Sequence, residues 1–161
     1  MKFVAVLIWV IGVSTFAWGC DDSKVFLTVV SHRKVESTGS DPLLVRDVRY
    51  RVANNTGCRI FVKGHQVSQF FPLGGYMRRR LPSKKWSSSS GKTEIPDFGD
   101  LGYKDVDDKE IAIGESIEFT SKLGDAESSV KFKRIIYVSV GRSDAPPITV
   151  VSSEFSFNSK L

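Results

Sequence analysis

Two cysteines and two histidines are all that this 161-residue chain carries of each, and no segment beyond its N-terminus sustains helical periodicity. Each shortage excludes something. His32 and His65 lie far apart among basic or polar neighbours, so no zinc-ligand spacing is recognisable and neither has an evident catalytic partner. They read as exposed strand-end residues. Gly-x-Ser-x-Gly is missing, which removes the nucleophile elbow of the α/β-hydrolases. Ser89-Ser90-Gly91-Lys92 matches Ser-x-x-Lys in form, but a nucleophilic serine needs a rigid setting, and residues 87–91 have the composition of a flexible tip. Gly91-Lys92-Thr93 ends like a phosphate-binding loop, yet the first glycine of that motif falls at Trp86. Asp97, Asp100, Asp105, Asp107, Asp108 and Glu110 crowd one stretch without the EF-hand order, so a solvated acidic loop is expected rather than a calcium site. No cofactor, metal or catalytic residue is implied. A secreted hydrolase is the rival class, and its mark would be a cleft uniting His65 with Asp97 or Asp100.

The chain also lacks an apolar run of the ~20 residues that span a bilayer. Its longest, Phe3 to Phe16, follows Met1-Lys2 and precedes Ala17-Trp18-Gly19, the layout of a secretory signal peptide over residues 1–19. One domain, residues 20–161, remains. Removing the leader takes away only Lys2 among charged residues, so the net charge falls from +5 to 5 − 1 = +4. A secreted or periplasmic location is expected, and there Cys20 and Cys58 should form a disulfide. Closing a loop of 58 − 20 = 38 residues is worth about 3–4 kcal/mol in the chain-entropy model. The competing reading is a lipoprotein anchored to a membrane through Cys20. Ala17-Trp18-Gly19-Cys20 is similar to a bacterial lipobox, but Trp18 replaces a small residue and the first-position leucine is absent.

What the chain does have is strand pattern. In Asp47–Val62, Val48, Tyr50 and Val52 alternate with Arg49 and Arg51, and Cys58, Ile60 and Val62 alternate with Arg59 and Lys63. Asn54-Asn55-Thr56-Gly57 between them suits a turn, so the stretch reads as a β-hairpin. The same residues form a glycosylation sequon that the turn already explains. Val25–Val30 reads as a strand buried on both faces. Short strands are expected at Gln66–Phe71 and Tyr76–Leu81, within an irregular insertion over residues 64–109. Ile111, Ile113, Ile117 and Phe119 alternate with polar residues, with a bend at Gly114. Val130–Val140 places Phe132, Ile136, Val138 and Val140 on one parity. Arg134 interrupts that parity, which requires either a bulge or burial of both faces. Val151, Phe155 and Phe157 share a face in a last strand. Together these predict an all-β fold, an antiparallel sandwich of about seven to eight strands.

Val48-Arg-Tyr-Arg-Val-Ala-Asn-Asn-Thr-Gly57, followed by Glu110-Ile-Ala-Ile-Gly-Glu-Ser-Ile-Glu-Phe119, resembles the immunoglobulin-like modules of bacterial exported proteins. The resemblance covers the regular parts, residues 24–63 and 110–157. It implies an immunoglobulin-like β-sandwich that binds or spaces rather than catalyses. The buried tryptophan and inter-sheet disulfide of antibody domains are not matched.

One further absence is informative. Between Tyr76 and Thr93 there is no acid, while Arg78, Arg79, Arg80, Lys84, Lys85 and Lys92 gather around Trp86. Guanidinium groups bind sulfate or phosphate bidentately and an aromatic ring can stack on a sugar, so a polyanion such as an anionic glycan is a candidate partner. A protein partner stands open beside it, and no nucleic acid is expected. The alternative account is a solvated edge strand, since three consecutive arginines cannot all face one way.

Overall fold

The computed structural model of the chain describes residues 19–35, 45–66, 69–88, 106–124 and 130–157. Within them run a 3-10 turn, Asp22–Lys24, and ten strands. These are β1 Val25–Val35, β2 Val45–Asn54, β3 Ile60–Gln66, β4 Phe70–Pro72, β5 Tyr76–Arg80, β6 Ser87–Ser88, β7 Asp107–Ile111, β8 Ser116–Gly124, β9 Val130–Val140 and β10 Ile148–Val151. Every strand pairing is antiparallel. The all-β expectation is met. The predicted leader, residues 1–18 of it, lies outside the described residues.

A three-stranded sheet runs in the order β1-β2-β8. A larger one is built on β9, which pairs with β3, β5 and β10, while β3 also pairs with β4 and β7. The inward side chains of both sheets meet in one core. Val48, Tyr50, Val52 and Phe119 come from the smaller sheet, and Ile60, Val62, Ile111, Phe132, Ile136 and Val138 from the larger. Tyr50 stacks on Phe119 at 5.3 Å between ring centroids and meets Phe155 edge-on at 6.2 Å.

The expected hairpin is not one. β2 pairs with β1 and β8, whereas β3 pairs with β4, β7 and β9, so Asn54–Gly57 carries the chain from one sheet to the other. Alternation specifies which face of a strand is buried. It does not specify whether two successive strands lie side by side or face each other across a core. The connection from β7 to β8 makes the reverse crossing beside it, and Asn54 ties the two together. Its backbone NH donates to Glu115 O at 2.9 Å and its carbonyl accepts from Gly114 N at 2.8 Å. Its side-chain Nδ2 donates to Cys58 O at 2.7 Å and to Ile111 O and Ala112 O, each at 3.0 Å. Its Oδ1 accepts from Thr56 N at 3.1 Å and Thr56 Oγ1 at 2.8 Å. Asn54 is fully buried, which also rules out the sequon as a glycan acceptor in the folded protein.

Cys20 and Cys58 are joined in a disulfide at the same corner, with Cα atoms 5.5 Å apart. Asp21 N donates to Thr56 O and Asn55 N to Lys24 O, so the N-terminal segment enters β1 already fastened. Intact-mass measurement of the purified protein should therefore show a gain of two hydrogens on reduction. A diacyl- or triacylglycerol adduct on Cys20 would contradict the bond, because the same sulfur cannot carry both.

Two strand readings change, at β1 and at the C-terminus, and a third, at β9, resolves to one of its alternatives. β1 is an edge strand with one face to solvent rather than buried on both: Val25 and Leu27 point into the core, while Phe26 is 47% exposed. In β9, of the two alternatives at Arg134, there is no bulge, while residues of both faces are buried over Ile136, Tyr137, Val138 and Ser139, and Arg134 is itself buried. Its guanidinium donates to Pro72 O at 2.9 Å and Gly75 O at 3.3 Å and lies 4.8 Å from the Tyr76 ring centroid. At the C-terminus β10 ends at Val151, and the chain rejoins β9 through a bridge from Phe155 to Phe132. Val150 rather than Val151 is therefore inward. Two turn signals hold, with Gly57 at φ 79° and Gly114 at φ 78°.

Residues 64–88 of the expected insertion contribute β4, β5 and β6 to the larger sheet. Gly74 makes this possible. Its φ is 139°, and a Cβ there would stand 2.0 Å from Ile135 O. Residues 89–105 are outside the described part.

Candidate polyanion-binding face

β5 alternates as a strand must. Tyr76, Arg78 and Arg80 take one parity, Met77 and Arg79 the other. Opposite Met77 and Arg79 on β9 stand Lys133 and Lys131, so three cations share one face of the sheet. β6 pairs Ser87 with Arg78 and Ser88 with Met77, which brings the preceding Trp86 against that same group. Cζ of Arg79 lies 5.0 Å from a Trp86 ring centroid and Nζ of Lys133 lies 4.9 Å from it. Contacts of this length are the cation–π range, worth about 0.5–1 kcal/mol each at an exposed site.

One carboxylate enters the group. Glu154 Oε2 accepts from Arg79 Nη2 at 2.7 Å, with the two side chains 35% and 20% exposed. Lys131 Nζ donates to Ser156 Oγ at 3.3 Å. Buried Arg79 Nε has no hydrogen-bond partner among the described residues. Among the described residues three cations stand here against one carboxylate, beside a half-exposed indole.

Behind the face, the core holds β5 in place. Tyr50 donates to Tyr76 through their hydroxyls at 3.2 Å, and Tyr76 lies beneath Arg134. Burial, then the neighbouring Tyr76, pushes the Tyr50 hydroxyl far above the ordinary phenol range, against a smaller opposing effect of Arg134. The shift favours the neutral phenol, the form that donates to Tyr76.

The seven residues singled out from the sequence are thus divided. Arg79 and Trp86 are brought together. Arg78 and Arg80 are exposed but have the opposite parity, opposite Phe132 and Val130 of β9. Lys84 and Lys85 are exposed in the turn that follows β5. Lys92 lies outside the described residues. Lys131, Lys133 and Glu154 were not found by sequence reasoning. The alternating Lys131-x-Lys133 was visible, but only the pairing of β9 with β5 places those lysines beside Trp86.

The other candidates resolve differently. His32 sits on β1 of the smaller sheet, edge-on to Phe157 at 5.6 Å, while His65 lies on β3 of the larger. The two are not brought together. Asp97, Asp100 and Asp105 lie outside the described residues, as do Ser89–Thr93. The acids nearby have structural partners: Asp107 Oδ2 accepts from Gln66 N at 2.8 Å, Asp108 pairs with Lys63 at 2.9 Å and Glu110 with Arg59 at 3.2 Å. Among the described residues no group of three or more histidine, cysteine or acidic side chains could hold a metal.

No family model matches this chain, and no curated protein does. Two solved structures are similar to it in backbone. One is the "Putative ApaA Protein" from Bordetella pertussis, with a TM-score of 0.47 and 13% identity, covering 84% of this chain and 97% of that one. The other is a Northeast Structural Genomics Consortium target, with a TM-score of 0.46 and 10% identity, covering 87% of this chain and 92% of that one. At these values neither likeness identifies a family.

Proposed function

We propose that this protein is an exported, non-catalytic binding module of immunoglobulin-like sandwich form, and that the outer face of β5, β6 and β9 takes an anionic polysaccharide. Export is supported by the leader-like layout of residues 1–19 and by the Cys20–Cys58 disulfide, a bond typical of oxidising compartments. Among the described residues no helix is long and apolar enough to cross a membrane. The observation that carries the ligand class is the half-exposed Trp86 indole, with Arg79 Cζ 5.0 Å and Lys133 Nζ 4.9 Å from its ring. A sulfated or phosphorylated sugar offers both things such a group can use: anions for the cations and a flat carbohydrate face for the ring.

Elution from an immobilised anionic polysaccharide across a salt series tests this. Arg79→Glu/Lys133→Glu should elute at clearly lower salt than the wild type. Lys34→Glu/Lys109→Glu, two exposed lysines on β1 and β7 with the same change of charge, should shift little. Equal shifts for both pairs would reduce the binding to net charge, because unspecific attraction depends on total charge rather than position.

A further inference from the structure

We propose that β8 is an association edge, and that two copies of this chain join through antiparallel pairing of their β8 strands into one continuous sheet. The larger sheet's polyanion face plays no part in this.

The argument begins with which edges are protected. An unpaired edge strand presents a row of backbone NH and C=O groups and is normally blunted by bulges, shortness or like charge. β1 is broken by a register shift between Val29 and Ser31. β10 has four residues. β7 carries Asp107, Asp108 and Glu110, so a second copy would set acid against acid. β8 is nine residues long and carries one acid and one base, Glu118 and Lys122, which protect it from its own kind only if like charges meet. It pairs with β2 in unbroken register from Ser116 to Gly124, and among the described residues it pairs with no other strand.

The sequence of β8, Ser-Ile-Glu-Phe-Thr-Ser-Lys-Leu-Gly, is complementary to its own reverse. A two-fold axis at Thr120 sets each residue opposite the one whose number makes 240 with its own. Glu118 then faces Lys122 of the second copy, and Ile117 faces its Leu123. Opposite charges and apolar pairs directly across an antiparallel ladder are the favourable combinations. Because the interface is isologous, each pair occurs twice. A shift of one residue in register would turn the polar side chains of one copy toward the core of the other. Ile117 and Leu123 are half-buried against the core, so their pairing would also extend each core across the junction. Glu118 already accepts from Arg51 at 2.6 Å and lies 3.8 Å from Arg49, leaving it held on the outer face where Lys122 of a second copy would meet it.

Sedimentation equilibrium of the purified protein, with a short thiol crosslinker on Thr120→Cys as an independent readout, tests the pairing. The wild type should dimerise reversibly. Lys122→Glu should weaken the dimer about tenfold, since two like-charged pairs replace two opposite ones. Lys122→Arg should retain it, because the opposite-charge pairs stay in place. Thr120→Cys should crosslink efficiently, and Thr149→Cys, exposed on β10, should not. A monomer at every concentration overturns the proposal. So does a dimer indifferent to Lys122→Glu, or Thr120→Cys crosslinking no better than the Thr149→Cys control.

Discussion

Asn54→Ala should lower the stability of this protein by about 3–4 kcal/mol, a large part of what holds a typical domain together. The asparagine is fully buried, and its amide serves the carbonyls of Cys58, Ile111 and Ala112. Truncation strands those acceptors and the Thr56 donors where water does not reach. Each unsatisfied buried group costs about 1–3 kcal/mol, and partial relaxation keeps the total below their sum. Asn54→Asp should be worse, because it aims a carboxylate at the same carbonyls. Urea denaturation measures the loss, and a change under about 1 kcal/mol would show that the two crossings do not depend on this residue.

Tyr50→Ala should cost a comparable amount, about 3–5 kcal/mol, by a different route. Its ring is fully buried between Phe119 and Phe155, so truncation opens a cavity at the centre of the core. Arg51→Ala, the next residue, should cost no more than about 1 kcal/mol. Its guanidinium pairs with Glu118 at 2.6 Å, but the side chains are 50% and 35% exposed, where solvent weakens an ion pair. Equal losses in melting temperature for the two variants would mean that β2 is turned to the wrong face.

The contrast between these residues shows how far the sequence could be read. Burial of Val48, Tyr50, Val52, Ile60 and Val62 follows from alternation alone, which is a local property of each strand. The strand at Val130–Val140 has its expected bounds. Lateral partners are not local. The turn residues of Asn54–Gly57 serve a hairpin and a sheet crossing equally well, and the choice rests on Asn54 reaching carbonyls nearly sixty residues away. The two segments quoted for the resemblance, Val48–Gly57 and Glu110–Phe119, meet at that crossing through Asn54, which no spacing rule could reveal. Arg134 is harder still. A charge on an apolar parity reads as a bulge or as a strand buried on both faces, because a buried guanidinium is accepted only where carbonyls such as Pro72 O and Gly75 O await it.

The candidate face was legible in the same partial way. The run of basic residues around Trp86 is a composition signal, and the structure brings Arg79 of that run against the ring. The signal could not separate Arg79 from Arg78 and Arg80, which strand parity sends to the other side. Nor could it supply Lys133, which arrives from β9, more than forty residues further along.

Fluorescence titration of Trp86 tests the binding proposal most directly. Trp9 and Trp18 fall within the predicted leader, so protein cleaved after Gly19 has Trp86 as its single tryptophan. Its emission should change saturably when dextran sulfate is added, reverse as salt is raised, and stay constant with neutral dextran. Arg79→Glu/Lys133→Glu should abolish the response. Binding of dextran sulfate that leaves Trp86 emission unchanged, or an equal response from the double variant, would contradict the assignment of this face.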